Sequence, residues 1–279
     1  MPQISVIIPC YNQAKYIGEC LNSVLAQTFQ DYEIVVVNDG STDNSLQIIN
    51  QFVEKYKNLR IIDQSNQGVV AARNNAVAQA YGKYIYPLDA DDMIVPECLE
   101  KLYKVISTTN YRVVASEVYM FGKRSGFFRQ PKFTKYDMYG WHECCVISAL
   151  FYKEDFERFG GYKMDFNGYG GDDMDYWLNY LDYDYSMLRV PEVLFFYRVK
   201  EQEDSLWKNY SKQEMKKRVR QKNAYLLKYH PKMRLWSILY RLFHCRFVKF
   251  FYRDSIKNNF RRIKILGITV YRSKELSNE

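Results

Sequence analysis

The chain has 279 residues, 47% of them apolar, enough for one large domain with a sizeable core or one domain with an appendage. Its formal net charge of +8 is divided unevenly: residues 1–197 carry 18 Lys and Arg against 25 Asp and Glu, and residues 198–279 carry 22 against 7. The opening MPQISVIIPCYNQ lacks the basic start and apolar run of a signal peptide, and no stretch offers the roughly 20 uninterrupted apolar residues of a membrane-spanning helix. Cys10, Cys20, Cys98, Cys144, Cys145 and Cys245 show no C-x-x-C spacing, which speaks against a disulfide framework or metal ribbon and predicts reduced, mostly buried thiols in a cytosolic protein.

In chain order, QISVII (residues 3–8) and EIVVV (33–37) are continuous branched runs and LRII (59–62) is a shorter one, as strands covered on both faces require. Between them Ile17, Cys20, Leu21, Val24 and Leu25, then Leu46, Ile49, Phe52 and Val53, recur at helical spacing. A third, alanine-rich helix is predicted over residues 69–80 behind Gly68, and YIYPL (84–88) predicts a fourth strand. This alternation predicts a parallel α/β sheet with its ligand crevice at the carboxyl ends of the strands. Each strand end carries a polar motif: PCYNQ (9–13), NDGSTD (38–43), SNQG (65–68) and LDADD (88–92). Asp43 is expected to cap the second helix.

The fourth motif drives a buried strand into three aspartates. Such carboxylates repel one another and call for a compensating cation. A D-x-D supplies hard oxygen ligands suited to Mg²⁺ or Mn²⁺. It is a weak signal alone, since solvated loops also cluster aspartates; its place after a buried strand strengthens it. Neither G-x-G-x-x-G nor a Walker loop is present.

Beyond residue 110 the periodicity weakens through an aromatic region that includes Trp141 and His142. In FERFGGYKMDFNGYGGDDMDYWLNYL (156–181), the glycines at 160, 161, 168, 170 and 171 predict turns around a close-approach site. Asp173, Trp177 and Tyr180 then share one face of a helix, and Asp175 points elsewhere, toward a structural role. Residues 233–272 mix large apolar side chains with Arg and Lys, the composition of an interfacial helix on anionic lipid, although Arg246 interrupts the apolar face. A packing helix with a solvated basic face is the alternative, and no nucleic-acid motif is present.

SVIIPCYNQAKYIGECLNSVLAQTFQDYEIVVVNDGSTDNS, NQGVVAARNNAVAQAYGKYIYPLDADD and GYGGDDMDYWL, in that order, resemble the family 2 glycosyltransferases of GT-A fold, bacterial surface-polysaccharide type. The resemblance implies an α/β, GT-A-like, doubly wound, mostly parallel sheet over residues 1–204. It comprises a Rossmann-like nucleotide-sugar-binding half (1–110) and an acceptor and catalytic-base half (111–204), followed by a helical, basic, aromatic extension (205–279).

The implied activity is metal-dependent, inverting transfer from a nucleotide-diphosphate sugar, a UDP-sugar above all, to a hydroxyl of a glycan or lipid-linked oligosaccharide. Capsule or lipopolysaccharide synthesis at the cytoplasmic face of the inner membrane is the implied setting, with residues 233–272 on the anionic surface. Carried onto this chain, Pro9, Tyr11, Asn12, Asp39, Asn66, Arg73, Asp89 and Ala90 match donor-binding positions, and Asp91, Asp89 and Asp92 the metal-binding motif. Asp173 matches the catalytic base, with Asp172 in place of the usual glutamate; Trp141, His142 and Asp172 fall in the acceptor region. Lys200 stands where the family often has a histidine, and can pair with the diphosphate directly. A non-catalytic nucleotide-sugar or glycan-binding protein of the same fold is the competing expectation.

Overall fold

Strand β1 (Ile4–Cys10) is buried along its whole length at the centre of the molecule. Its side chains alternate between two cores, Ile4, Val6, Ile8 and Cys10 on one side and Ile7 on the other. Strand β2 (Tyr32–Asp39) repeats the division with Ile34 and Val36 against Val35 and Val37. A strand with helices on both faces has no solvent side, hence the continuous apolar runs. The computed structural model describes residues 1–128, 130, 146–183, 185–201, 211–231 and 233, and the backbone of residues 252–257, 260–265 and 268–274.

Helices α1 (Ile17–Leu25), α2 (Ser45–Lys55) and α4 (Cys98–Thr108) cover one face, and α3 (Val69–Gln79) packs on the other. The second helix starts one residue later than expected. Asn44 is its cap residue, while the Asp43 carboxylate accepts from the Ser45 N–H at 2.9 Å and from the Ala14 N–H at 3.0 Å.

The remaining strands are β3 (Leu59–Gln64), β4 (Tyr84–Pro87), β5 (Met93–Ile94), β6 (Val113–Gly122), β7 (Gly126–Phe127), β8 (Leu150–Tyr152) and β9 (Met187–Val199). The sheet order is β3-β2-β1-β4-β8-β6-β9-β5, with β7 beside β6. The β3-β2-β1-β4 block is parallel, as is β6 with β9, whereas β8 and β5 run antiparallel to their neighbours. Pairing of Met93 with Phe196 and Ile94 with Phe195 brings the residues just before β5 against the end of β9.

Helices α5 (Lys153–Phe159) and α6 (Asp172–Asp182), with a 3₁₀ turn at Met164–Phe166, extend the second core. Trp177, Tyr176 and Tyr180 are fully buried in α6, so the predicted aromatic face is a packing face. Helix α7 (Lys212–Tyr229) opens with a capping box between Ser211 and Glu214, and Leu226 and Met233 are buried in the same core.

Helix α7 falls within the extension expected to be helical over 205–279, but beyond it the chain departs from that expectation. Strands β10 (Tyr252–Lys257), β11 (Phe260–Ile265) and β12 (Ile268–Lys274) form an antiparallel three-stranded sheet. Ile263 and Ile265 flank Lys264, and Ile268 and Val270 flank Thr269, a period of two that the mixture of aromatic and basic residues obscures. The rest of the expected interfacial segment, residues 234–251, 258–259 and 266–267, lies outside the described residues. No helix among the described residues is long and apolar enough to cross a membrane.

His230, just past α7, is 2% exposed and lies between two carboxylates of α6, Nε2 at 3.0 Å from Asp175 and Nδ1 at 2.8 Å from Asp182. Burial opposes its charge, but the hydrogen bonds and attraction of both aspartates prevail and push its pKa up to about 9. Because this lies above the unfolded value of 6.5, the clamp stabilises the fold fully below about pH 6.5 and is lost as pH rises through about 9. Chemical denaturation across that range should show wild-type stability falling by on the order of 3 kcal/mol more than in His230→Gln. Equal pH dependence in the two proteins would remove His230 from this role.

Candidate active site

The loops at the strand ends are stitched to one another in pairs. Asn12, with φ of 52°, turns its Oδ1 to accept from the Thr42 N–H at 2.7 Å, and its own N–H donates to Ser41 Oγ at 3.0 Å. Gln13 N–H donates to Ser45 Oγ at 2.8 Å, joining the end of β1 to the start of α2. Asp39, at the end of β2 and 2% exposed, accepts from the Gln64 side chain and from the backbone N–H of Gln67 and Gly68, each at 2.8 Å. These bonds hold the turn before α3, where Gly68 has φ of +90° and a Cβ would lie 2.2 Å from Asn167 Oδ1. The positive φ is what favours glycine there, since the Asn167 amide is a side-chain end that could shift.

Arg73 of α3 is 6% exposed. Its Nη2 donates to Asp89 Oδ1 at 2.7 Å and its Nη1 to Asp172 Oδ2 at 2.5 Å. Burial works against the guanidinium charge, but attraction to Asp89 and Asp172 outweighs it and raises the pKa. Arg73 thereby ties the aspartate turn after β4 to the start of α6. Asn74 reinforces the junction, donating to the Tyr162 carbonyl at 2.9 Å and accepting from the Tyr162 N–H at 3.0 Å.

Each aspartate of the turn has a separate partner. Asp91 Oδ2 lies 2.7 Å from Lys200 Nζ, and Asp92 accepts from the Arg198 N–H at 2.7 Å. Arg198 Nε also donates to the Asp91 carbonyl at 2.7 Å. Burial raises the pKa of Asp91, with Lys200 opposing; burial together with Asp91 and Asp89 raises that of Asp92 further. Lys200 Nζ also donates to Gln13 Oε1 at 3.0 Å, linking β9 to the first loop.

Helix α6 begins where Gly171, with φ of +89°, turns the chain, and its first turn carries Asp172, Asp173 and Asp175. Carboxylates there favour the positive end of the helix dipole. Asp173 is half-buried, and its Oδ1 accepts from the Met174 N–H at 2.8 Å. A cavity of about 480 Å³ joins Asp173 to Arg73, Asp89 and Asp92, and Tyr169, Tyr197 and Arg218 also contribute to its wall.

Of the expected residues, Arg73, Asp89, Asp92, Asp172 and Asp173 therefore share one cavity. Asp172, expected on the acceptor, is committed to Arg73 and 5% exposed. Pro9 and Ala90 are buried, while Tyr11 and Asn66 are exposed at the rim of the neighbouring loops. Trp141 and His142 lie outside the described residues. Sequence reasoning missed His230 as the partner of Asp175, and Arg218 and Lys222 as cavity residues; the run KQEMKKRVRQK was the available signal, absorbed into the basic tail.

Among the described residues no three His, Cys, Asp or Glu side chains converge to cage a metal ion. An ion of the Mg²⁺ type needs just one or two carboxylates when phosphates and waters complete its shell. Asp91, which already faces a cation in Lys200, and Asp89 fit that requirement.

Arg73→Ala would leave Asp89 and Asp172 without their shared cation, and urea denaturation should show a loss of about 3–5 kcal/mol. A loss under about 1 kcal/mol would mean the clamp is not structural.

The sequence profile of glycosyl transferase family 2 matches residues 5–173. A chondroitin synthase of Pasteurella multocida is 43% identical over 104 residues, which cover 37% of this chain and 11% of that protein. The matched segments span 11% to 42% of the length of these curated relatives. Among solved structures, Staphylococcus aureus TarS residues 1–349 in complex with UDP-GlcNAc superposes with a TM-score of 0.67 at 20% identity, covering 90% of this chain and 75% of that one. The mannosyltransferase PcManGT of Pyrobaculum calidifontis, in complex with GDP-Man and Mn²⁺, gives 0.56 at 19% identity, covering 86% and 74%. With the profile spanning the strand-end motifs and the aspartates at the start of α6, the chain belongs to glycosyl transferase family 2.

Proposed function

We propose that this chain is an inverting glycosyltransferase. It moves a sugar from a UDP-sugar to a hydroxyl of a glycan or lipid-linked glycan in the synthesis of a bacterial surface polysaccharide. The observation that carries the reading is the cavity in which Arg73 joins the D-x-D turn to Asp172, beside Asp173.

In this reading the donor base lies along Tyr11, a residue 37% exposed, with Asp39 and Asn66 nearby. Three bonds already fall on Asp39, leaving about one of a carboxylate's four acceptor positions for a base N–H. The Lys200 ammonium meets the diphosphate. A divalent cation, held by Asp91 and Asp89 when bound, supplies Lewis-acid stabilisation of the leaving diphosphate.

Asp173 takes the proton from the acceptor hydroxyl as that oxygen attacks the anomeric carbon from the side opposite the leaving group. The Met174 N–H bond to its Oδ1 orients the carboxylate. The basic C-terminal region suits a peripheral position on an anionic cytoplasmic membrane surface.

Calorimetric titration with UDP, GDP and CDP, with and without Mn²⁺, tests the donor assignment. UDP should bind most tightly, and Asp91→Ala should remove whatever part of that binding depends on manganese. Asp173→Asn should bind UDP as the wild type does and transfer sugar about 10²–10⁴-fold more slowly. Wild-type transfer rates in that variant would refute the base. Lys200→Ala should weaken UDP binding in EDTA about tenfold, on the basis of one lost charge-assisted bond; unchanged affinity would place the diphosphate elsewhere.

A further inference from the structure

Two cations on α7 line the cavity and have no part in the transfer as described: Arg218 and Lys222, one helical turn apart. Both are seated by the glycine loop before α6. Arg218 Nη1 donates to the Gly168 carbonyl, and its guanidinium lies over the Tyr169 ring at 5.4 Å. The Lys222 stem crosses Gly171 so closely that a Cβ there would sit 2.5 Å from Lys222 Cδ.

Behind them α7 is fixed in place. Tyr225 packs on Phe166 and Tyr169 at ring distances of 5.7 and 5.8 Å, Leu226 is fully buried, and His230 is clamped to α6. The helix spans seven Lys or Arg and a single acid, Glu214, yet Lys216, Lys217 and Arg220 are exposed. Arg218 and Lys222 are the ones directed to the cavity that holds Asp172 and Asp173.

We propose that α7 recognises an anion on the acceptor: the hydroxyl presented to Asp173 belongs to a saccharide bearing a carboxylate or phosphate, which Arg218 and Lys222 bind. This rests on the reading of Asp173 as the base. Residues 1–197 carry 18 bases against 25 acids, and Asp173 is itself a carboxylate, so an anionic acceptor presented to it meets like charge. A neutral acceptor needs no compensation; an anionic one needs fixed cations near its charged group. The planar guanidinium matches carboxylate and phosphate oxygens in pairs, and the ammonium adds a point charge. The packing of Arg218 on Tyr169 and of Lys222 on Gly171 fixes both before the acceptor arrives, which reduces the ordering cost of binding.

Titration of the full chain at saturating UDP with methyl β-glucuronide, glycerol phosphate and neutral methyl β-glucoside tests this, in wild type and in Arg218→Gln/Lys222→Gln. The charged probes should bind at least tenfold more tightly than the glucoside, and the double variant should lose that advantage while keeping its UDP affinity. Tighter binding of the glucuronide assigns a carboxylate, and tighter binding of glycerol phosphate a phosphate. Lys222→Gln alone keeps a stem across Gly171 and carries the test should the double variant unfold; a several-fold loss of the charged probe is expected there.

Equal binding of charged and neutral probes, or charged-probe binding unaltered in the variants, overturns the proposal while UDP binding stands. Loss of UDP affinity in the variants would assign the cations to the donor diphosphate and overturn it as well. A wild-type chain that binds no UDP defeats the donor reading, and the proposal with it.

Discussion

The site depends on one buried guanidinium. Arg73 leaves water at a cost that only opposed charge can offset, and it finds that charge in Asp89 and Asp172, which come from distant parts of the chain. Since α3 packs in the same core as the centres of β1 and β2, the clamp refers both carboxylates to the rigid middle of the sheet. The separation between the D-x-D turn and Asp173 is set by this contact and by the pairing of Asn74 with Tyr162.

Three aspartates at the end of a buried strand raise the question of what holds them together. The chain answers each separately, with Arg73 for Asp89, the Lys200 ammonium for Asp91 and the Arg198 N–H for Asp92. Two of these partners come from the end of β9, delivered by the antiparallel pairing of β5 with Phe195 and Phe196. These partners hold the three carboxylates in place although burial and mutual repulsion act against their charge. In this arrangement the Lys200 ammonium reaches both Asp91 and the first loop.

Helix α7 belongs to the same economy of charge. Its C-terminal end is pinned through His230 to both ends of α6, to Asp182 in the last turn and to Asp175 in the first turn, which also carries Asp173. The docking of α7 and the placing of Asp173 are thus mechanically coupled through one helix. A clamp that weakens above neutral pH ties the integrity of the cavity to protonation of a residue remote from the chemistry.

By itself the sequence determined the first half of the sheet and its ligand edge. β1 through α3 announce themselves because periods of two and 3.6 are local properties, legible wherever both faces or one stripe must be apolar. The strand-end motifs were legible as polar interruptions of apolar runs, whereas Asp172 and Asp173 were picked out through the resemblance of GYGGDDMDYWL. Tertiary structure alone decided the rest. β8 has three residues and β5 two, too short for any periodicity, yet their antiparallel pairing sets which residues meet. No local pattern encodes the register that brings Lys200 to Asp91, the commitment of Asp172 to Arg73, or the seat of His230 between Asp175 and Asp182. These are pair interactions between distant segments, and only the packed sheet fixes which pairs exist.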